Sequence, residues 1–381
     1  MNNLHDLGSG LAGTALYDAV LARHGDMWEA AHTSAKALTS RPVDTHPVTA
    51  SLYQGLPAVA YVLQTAGHDG YASTLEALDR KIDILVDQRL EAAYTRMASQ
   101  RPPRIREFDL ISGLTGVGAY LLHRRRTDSL TNVAAYLARL LTEPAVVDGQ
   151  AVPGWWAHDS PRGRYDDDWP LGHANFGIAH GAAGPVALLA LCVRSGIVQL
   201  PLVQEALAEG CAVLSQWARP LDGGGTGWPE TLGLHAFLDG PRLGGAQGRP
   251  SWCYGTPGIA RSLQLAATAC ENTPARRLAE RAFLSCVTDD GQLALLEDAT
   301  VCHGWSGLLL TADRIAADAS HDAIAHELPA LRERLTDHTV QHGIPDGPGL
   351  LTGADGALLT LHTLTPSQPV DPMWETCLLL N

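Results

Sequence analysis

A short glycine-containing motif recurs seven times along this chain, and no other feature of the sequence constrains the fold as strongly. Each copy has a glycine, two residues, usually a second glycine, and then an apolar run with helical character. With 38 glycines in 381 residues, about four such glycine pairs are expected by chance. The glycine pair alone therefore does not indicate a repeat, whereas the apolar run that follows each copy does. The copies begin at Gly10, Gly55, Gly113, Gly181, Gly255, Gly304 and Gly353.

Helix patterns of a second kind fill the intervals between the motifs. These intervals are about 45 to 75 residues long, which is enough for a helical hairpin. In PLVQEALAEGCAVLSQW, the apolar residues Val203, Leu207 and Leu214 share one face, as in an amphipathic helix. A further helix is predicted in TPARRLAERAFLSCV, with Thr273 as its N-cap and Pro274 at its first position.

The alternation of the two helix types predicts the architecture. Helices that are apolar nearly all round are buried, whereas helices with one apolar face cover them. We therefore predict an all-α fold, an (α/α) toroid of about seven inner and seven outer helices, with residues 1–381 forming one domain. Two long irregular stretches, 156–177 and 222–250, precede the fourth and fifth motifs, and loops of that length are often functional.

Charge and cysteine content limit the partners and the compartment. The formal charge of −14 disfavours binding to nucleic acid or anionic lipid, so a small molecule, peptide or protein is the expected partner. The start MNNLHDLGSGLAG has no signal-peptide pattern and no long apolar stretch follows, so we expect a cytoplasmic protein without a transmembrane segment. Seven cysteines in such a chain indicate thiols or metal ligands rather than a disulfide framework.

Three residues at the mouths of two glycine motifs form a candidate metal site. Cys253 stands two residues before Gly255, and Cys302 and His303 immediately precede Gly304. If the motifs are related by rotation, these residues converge at one end of the barrel. Two cysteines and a histidine leave the fourth tetrahedral position open, which is typical of catalytic zinc. The alternative is that the cysteines are half-buried thiols and the histidine caps a helix.

Four further residues flank the same motifs. His180 occupies in the fourth motif the place of His303 in the sixth, and it is either a helix cap or a candidate general acid or base. Asp109, four residues before the third motif, could hold an imidazole in one tautomer or cap a helix. Arg249 and Tyr254 lie beside Cys253 and would supply a cation and a hydroxyl donor at the same mouth.

Three segments together resemble the lanthionine synthetase C-like family, the lanthipeptide cyclases. They are IAHGAAGP from Ile178, WCYGTPG from Trp252 and CHGWSG from Cys302, and the resemblance extends to the closing PMWETCLLL. It implies a double-ring α/α toroid with one zinc ion, held by Cys253, Cys302 and His303. It also places His180, Asp109, Arg249 and Tyr254 at the family's other active-site positions.

The resemblance implies a reaction on a dehydrated precursor peptide, with a dehydratase as a further candidate partner. A cysteine thiolate of the peptide adds to the β-carbon of dehydroalanine or dehydrobutyrine, which gives a thioether ring. Arg249 or a protonated histidine would stabilise the enolate. His180, oriented by Asp109, is the first choice to protonate the α-carbon, and Tyr254 is the second.

Two other functions fit the same resemblance. The zinc site could activate glutathione for addition to dehydrated residues, as in eukaryotic members of the family, or the toroid could be a non-catalytic scaffold for a dehydratase. A toroidal glycoside hydrolase would need paired carboxylates facing the cavity, and the acidic run 166–168 is the candidate for them. Adjacent acids in a loop are usually solvated, and this interpretation leaves the cysteines unexplained. The basic cluster of Arg101, Arg104 and Arg106 either binds an acidic leader segment or is a solvated surface.

Overall fold

The structure, a computed structural model, describes residues 3–25, 27–242, 244–245, 248–364 and 371–381. This part of the chain is predominantly helical, which confirms the predicted fold class in its coarse form. The α-helices are α1 (Leu11–His24), α2 (Trp28–Thr39), α3 (Leu56–Ala66), α4 (Ala72–Ala98), α5 (Ile105–Phe108), α6 (Leu114–Arg124), α7 (Thr127–Thr142), α8 (Ala183–Arg194), α9 (Pro201–Trp217), α10 (Leu234–Leu238), α11 (Thr256–Ala269), α12 (Thr273–Val287), α13 (Asp290–Leu293), α14 (Trp305–Asp318), α15 (Ala323–His342) and α16 (Ala354–Thr363).

The remaining elements are short. Three 3₁₀ helices span Asn3–His5, Asp69–Tyr71 and Pro372–Leu378. The strands are β1 (Ala145–Val147), β2 (Gln150–Val152), β3 (Ala174–Asn175), β4 (Arg219–Pro220), β5 (Thr226–Gly227) and β6 (Thr231–Leu232). They form three antiparallel pairs, β1 with β2, β3 with β6 and β4 with β5. The β3–β6 pair joins the two long irregular stretches of the sequence to each other.

Helices that follow the glycine motifs form a closed inner ring. In chain order they are α1, α3, α6, α8, α11, α14 and α16, and each contacts the next, while α16 contacts α1. Most of them are buried almost all round, as in α3, where ten of eleven residues are buried. The apolar runs after the motifs therefore make the inner wall of the toroid.

A second set of helices covers the ring from outside. Helices α2, α4, α7, α9, α12 and α15 each contact the inner helix that precedes them. The described residues thus supply six outer helices, and the predicted number of seven is not confirmed. The predicted N-cap Thr273 is wrong by one residue, because the side chain of Asn272 accepts the hydrogen bond from the amide of Ala275 (3.2 Å).

The last described segment lies inside the ring. The Tyr61 hydroxyl of α3 donates to the carbonyl of Trp374 (2.7 Å), and the Trp252 indole donates to the carbonyl of Leu378 (3.0 Å). The buried guanidinium of Arg261 donates twice to the carbonyl of Leu380, at 2.6 and 2.9 Å. Side chains of the inner ring therefore satisfy buried carbonyls of this segment, as burial requires.

The second glycine of the motif has a steric role. A Cβ added to Gly258 would stand 2.0 Å from the carbonyl oxygen of Trp252, and one added to Gly307 would stand 1.9 Å from that of Val301. Each carbonyl belongs to the residue six positions earlier, in the loop that crosses the first turn of the helix. The glycines thus let the loops that carry Cys253 and Cys302 lie directly on α11 and α14.

Replacing one of these glycines should destabilise the fold. Gly258→Ala requires the loop backbone to move, and we expect the free energy of unfolding to fall by about 1–3 kcal/mol in chemical denaturation. Gly25→Ala is the matched control, because its Cβ would have its nearest contact at 3.8 Å. Equal stability of the two variants would contradict this account.

Candidate metal centre

Backbone hydrogen bonds connect the glycine turns in order around one end of the ring. Donor first, they run from Leu110 to Ala179 (3.1 Å), Ala179 to Cys253 (3.2 Å), Cys253 to Cys302 (3.2 Å), Cys302 to Leu351 (2.9 Å), Leu351 to Gly8 (2.8 Å) and Leu7 to Tyr53 (3.0 Å). Cys253 and Cys302 both stand two residues before the first glycine of their motifs. Their equivalent positions in neighbouring turns explain why the two cysteines meet.

The structure brings the predicted metal ligands together. The sulfurs of Cys253 and Cys302 and one ring nitrogen of His303 lie within 4.8 Å of one another, and both cysteines are free thiols. The hydrogen bond between the thiols lowers the pKa of Cys253 in spite of burial, and the same contact together with burial raises the pKa of Cys302. Two cysteine sulfurs and an imidazole nitrogen this close together are a donor set that fits a zinc ion.

Local turns position each ligand. The Ser251 hydroxyl accepts from the amide of Gly255 (3.0 Å) and lies 3.7 Å from the sulfur of Cys253. In the next turn, the Thr300 hydroxyl accepts from the amide of His303 (3.4 Å). The two ligand-bearing loops are therefore held by hydroxyl side chains as well as by backbone bonds.

His180 and Asp109 form a hydrogen-bonded pair at the same end of the ring. The Nδ1 atom of His180 lies 2.5 Å from Oδ2 of Asp109, whose side chain is fully buried. Burial opposes protonation of His180, but the hydrogen bond and the charge of Asp109 outweigh it, so the pKa of His180 is raised. The pair has the geometry of an oriented general acid or base, with Nε2 outside this hydrogen bond.

Tyr254 lies next to this pair. Its ring centroid is 6.0 Å from that of His180, and its hydroxyl is 3.5 Å from the side-chain nitrogen of Asn175. Burial raises the pKa of Tyr254 to about 12, so the hydroxyl is protonated at neutral pH. Tyr254 is therefore a second proton donor within the site.

Arg249 supplies positive charge near the cysteines. Its charge acts to lower the pKa of the Cys302 thiol, against the stronger effects of Cys253 and burial. Glu230 lies nearby, and its pKa is raised by burial first and then by the charge of Cys253. Glu230 and Asn175 were not predicted as site residues, since neither stands at a fixed place in the glycine motif.

A cavity of about 410 Å³ opens at the same end of the ring, between the first, second, third and seventh glycine turns, and none of the seven predicted site residues lines it. Leu351, whose carbonyl accepts from the amide of Cys302, lines one side, and Ser112, whose amide donates to Asp109 (2.7 Å), lines another. Arg106 also lines it, whereas Arg104 of the same basic cluster lies 3.5 Å from Asp159. The cavity therefore adjoins the site through hydrogen-bonded neighbours of Cys302 and Asp109 and not through the site residues themselves.

The described residues form a helical toroid in which Cys253, Cys302 and His303 lie close together, and comparisons with known proteins identify the family and the fold. The family model described as lanthionine synthetase C-like protein matches residues 3–379, so the chain belongs to that family. Nisin biosynthesis protein NisC of Lactococcus lactis subsp. lactis is 23% identical over 333 residues, which cover 82% of this chain and 73% of NisC.

A solved structure titled nisin cyclase has the same fold. It superposes with a TM-score of 0.80 at 21% sequence identity, covering 100% of this chain and 93% of that chain. Within the part of the chain that the structure describes, no helix combines the length and apolar character needed to cross a membrane.

The raised pKa of His180 gives a direct test of its pairing with Asp109. Asp109→Asn removes the negative charge, so the pKa of His180 should fall, measured by NMR titration of the imidazole. The imidazole signal that is missing from the spectrum of the His180→Asn variant is the signal of His180. Because the folded-state pKa is raised, the pair stabilises the fold fully below about pH 6.5, and this contribution is lost as pH rises through the folded-state pKa. An unchanged titration would contradict the pairing.

Proposed function

We propose that this protein is a zinc-dependent lanthipeptide cyclase. The observation that supports this most strongly is the convergence of Cys253, Cys302 and His303 at one end of the toroid, beside the His180–Asp109 pair. Membership of the lanthionine synthetase C-like family supports the same reaction class. The substrate would be a precursor peptide that carries dehydroalanine or dehydrobutyrine and a cysteine, and we take residues 1–381 as one domain.

Cys253, Cys302 and His303 would hold the ion as three protein ligands, and a set of three is the pattern of catalytic zinc. A zinc ion held by Cys253, Cys302 and His303 supplies a Lewis acid that favours the thiolate form of a bound cysteine. We place part of the peptide chain in the cavity of about 410 Å³ at the same end of the ring. Leu351, whose carbonyl accepts from the amide of Cys302, and Ser112, whose amide donates to Asp109, line this cavity, so a peptide bound there would reach the edge of the site.

The reaction moves one proton in net terms, from the thiol to the α-carbon, and it needs no co-reactant. A carbon–sulfur bond forms at the β-carbon, the π bond of the alkene breaks, and its electrons pass to the α-carbon and the adjacent carbonyl. The proton lost by the thiol is balanced by the proton added at the α-carbon, so the product is an isomer of the substrate. His180 in its protonated form is the donor we propose for the α-carbon, because Asp109 raises its pKa.

Arg249 and Tyr254 have supporting roles in this proposal. The guanidinium of Arg249 is a fixed positive charge that would stabilise the enolate oxygen as it forms. The protonated hydroxyl of Tyr254 could donate a hydrogen bond to the same oxygen or replace His180 as proton donor. A variant that loses Tyr254 but keeps His180 separates these two roles.

The proposal also implies a partner and a compartment. Dehydrated residues have to be made from serine or threonine by another catalytic unit, so a dehydratase is the partner class. Two free cysteines at the candidate centre favour a reducing compartment, in accord with the cytoplasmic location expected from the sequence.

Metal content tests the proposed centre without any substrate. The purified protein should contain about one zinc per chain by elemental mass spectrometry, as the family resemblance implies, and Cys302→Ala should lose it. Cys270→Ala is the matched control, because Cys270 is also a half-buried thiol but is not among the three donors. Zinc retained in Cys302→Ala would contradict the assignment.

Turnover tests the reaction. A synthetic peptide with dehydroalanine upstream of a cysteine should lose its thiol, scored by failure to react with N-ethylmaleimide, without a change in mass. His180→Asn should keep zinc but slow this step by about 10²–10⁴-fold.

A second peptide separates cyclisation from the glutathione alternative. A peptide that contains dehydroalanine but lacks cysteine, incubated with glutathione, would gain the mass of one glutathione if the glutathione alternative holds. A protein that binds zinc but modifies neither peptide would favour the non-catalytic scaffold.

A further inference from the structure

Asp298 lies beside the candidate metal ligand His303, and neither the sequence motifs nor the family resemblance assigns it a role. Its Oδ2 atom is 3.5 Å from Nε2 of His303. Its Oδ1 atom accepts a hydrogen bond from the amide of Thr300 (2.8 Å), and its backbone carbonyl accepts from the amide of Trp305 (3.0 Å). One residue therefore contacts the start, the middle and the end of the loop that carries Cys302 and His303.

The carboxylate has little freedom to move away from the histidine. A Cβ added to Gly304 would stand 2.2 Å from Oδ1 of Asp298, so the loop folds tightly over this oxygen. With Oδ1 held by the amide of Thr300, Oδ2 is the atom directed at the imidazole. The side chains of Asp298 and His303 are 37% and 29% exposed, so both are partly shielded from solvent.

Asp109 shows the same division of roles at the His180 pair. Its Oδ1 accepts from a nearby backbone amide, that of Ser112 (2.7 Å), and its Oδ2 contacts a histidine nitrogen. The site thus contains two aspartates that each use one oxygen to hold a turn and the other to face an imidazole. In the first pair the histidine is the candidate proton donor, and in the second it is a candidate metal ligand.

We propose that Asp298 is a positioning residue for the metal centre. This inference rests on the proposed zinc site. At 3.5 Å from Nε2 of His303, Oδ2 of Asp298 needs to approach by only a few tenths of an ångström to accept a hydrogen bond, and such a bond would place the proton of His303 on Nε2 and leave the lone pair of Nδ1 for the metal. Carboxylates that orient a ligating histidine in this way contribute about 10–100-fold to metal affinity.

The test measures metal affinity rather than turnover. Zinc and cobalt(II) are titrated into the metal-free protein in competition with a chelator, and the absorption of the cobalt form reports the ligand set. Asp298→Asn keeps an oxygen that can accept from the amide of Thr300 but removes the charge facing His303. We expect its zinc affinity to fall by about 10–100-fold, with a changed cobalt spectrum.

A matched control separates positioning from the folding of the loop. Asp44 has the same role at the second glycine turn, where its carbonyl accepts from the amide of Leu56 (2.9 Å) and its Oδ1 accepts from the amide of His46 (2.9 Å). Its Oδ2 faces the hydroxyl of Thr49 and not an imidazole. Asp44→Asn should therefore bind zinc as the parent protein does.

The outcomes distinguish the inference from the proposed function. If the parent protein binds no metal, the proposed centre fails and the role of Asp298 fails with it. If the parent binds zinc and Asp298→Asn binds it equally well with the same cobalt spectrum, the centre stands and the inference is overturned. Should Asp298→Asn not fold, Asp298→Ser retains an acceptor for Thr300 without reaching His303, and the same expectation applies to it.

Discussion

Backbone hydrogen bonds between successive glycine turns are the interactions on which the site depends. These bonds fix the mutual register of the turns, so residues at equivalent places in neighbouring motifs become neighbours in space. Cys253 and Cys302 are joined directly in this way, although 49 positions separate them. The glycines at Gly258 and Gly307 make the register possible, because any side chain there would push the ligand-bearing loops away from their helices.

The interior of the ring reinforces this arrangement. The indole of Trp252, the residue immediately before Cys253, donates to the carbonyl of Leu378, and Arg261 of α11 donates to that of Leu380. The segment that follows α16 therefore supports the ligand loop from within the ring. Around the centre, each of two imidazoles faces a carboxylate: His180 faces Asp109, and His303 faces Asp298. We interpret the site as one proton donor and one metal ligand, each held by a carboxylate whose other oxygen is tied to a backbone amide.

Much of this could be predicted from the sequence, because the repeat imposes equivalent positions. The glycine motifs predicted the inner helices. Cys253, Cys302, His303 and His180 were predicted as site residues because they stand just before the first glycine of a motif. Other features follow from contacts between distant segments and have no local signal. Nothing in the sequence around Asp298 distinguishes it from other loop aspartates, and only its distance to His303 indicates a role. The position of Leu378 inside the ring likewise depends on hydrogen bonds from Trp252 and Tyr61 to this segment. The N-cap at Asn272 instead of Thr273 shows that two adjacent polar residues cannot be ranked by type alone.

The coordination shell of the bound metal tests the central claim most directly. X-ray absorption at the zinc edge of the purified protein should show two sulfur neighbours at about 2.3 Å and one nitrogen at about 2.0–2.1 Å, with a further light atom in the fourth position. Addition of a cysteine-containing substrate peptide should replace that light atom with a third sulfur. A shell of nitrogen and oxygen alone, or one that stays the same when the peptide is added, would contradict the proposed role of Cys253 and Cys302 in holding a metal for thiol activation.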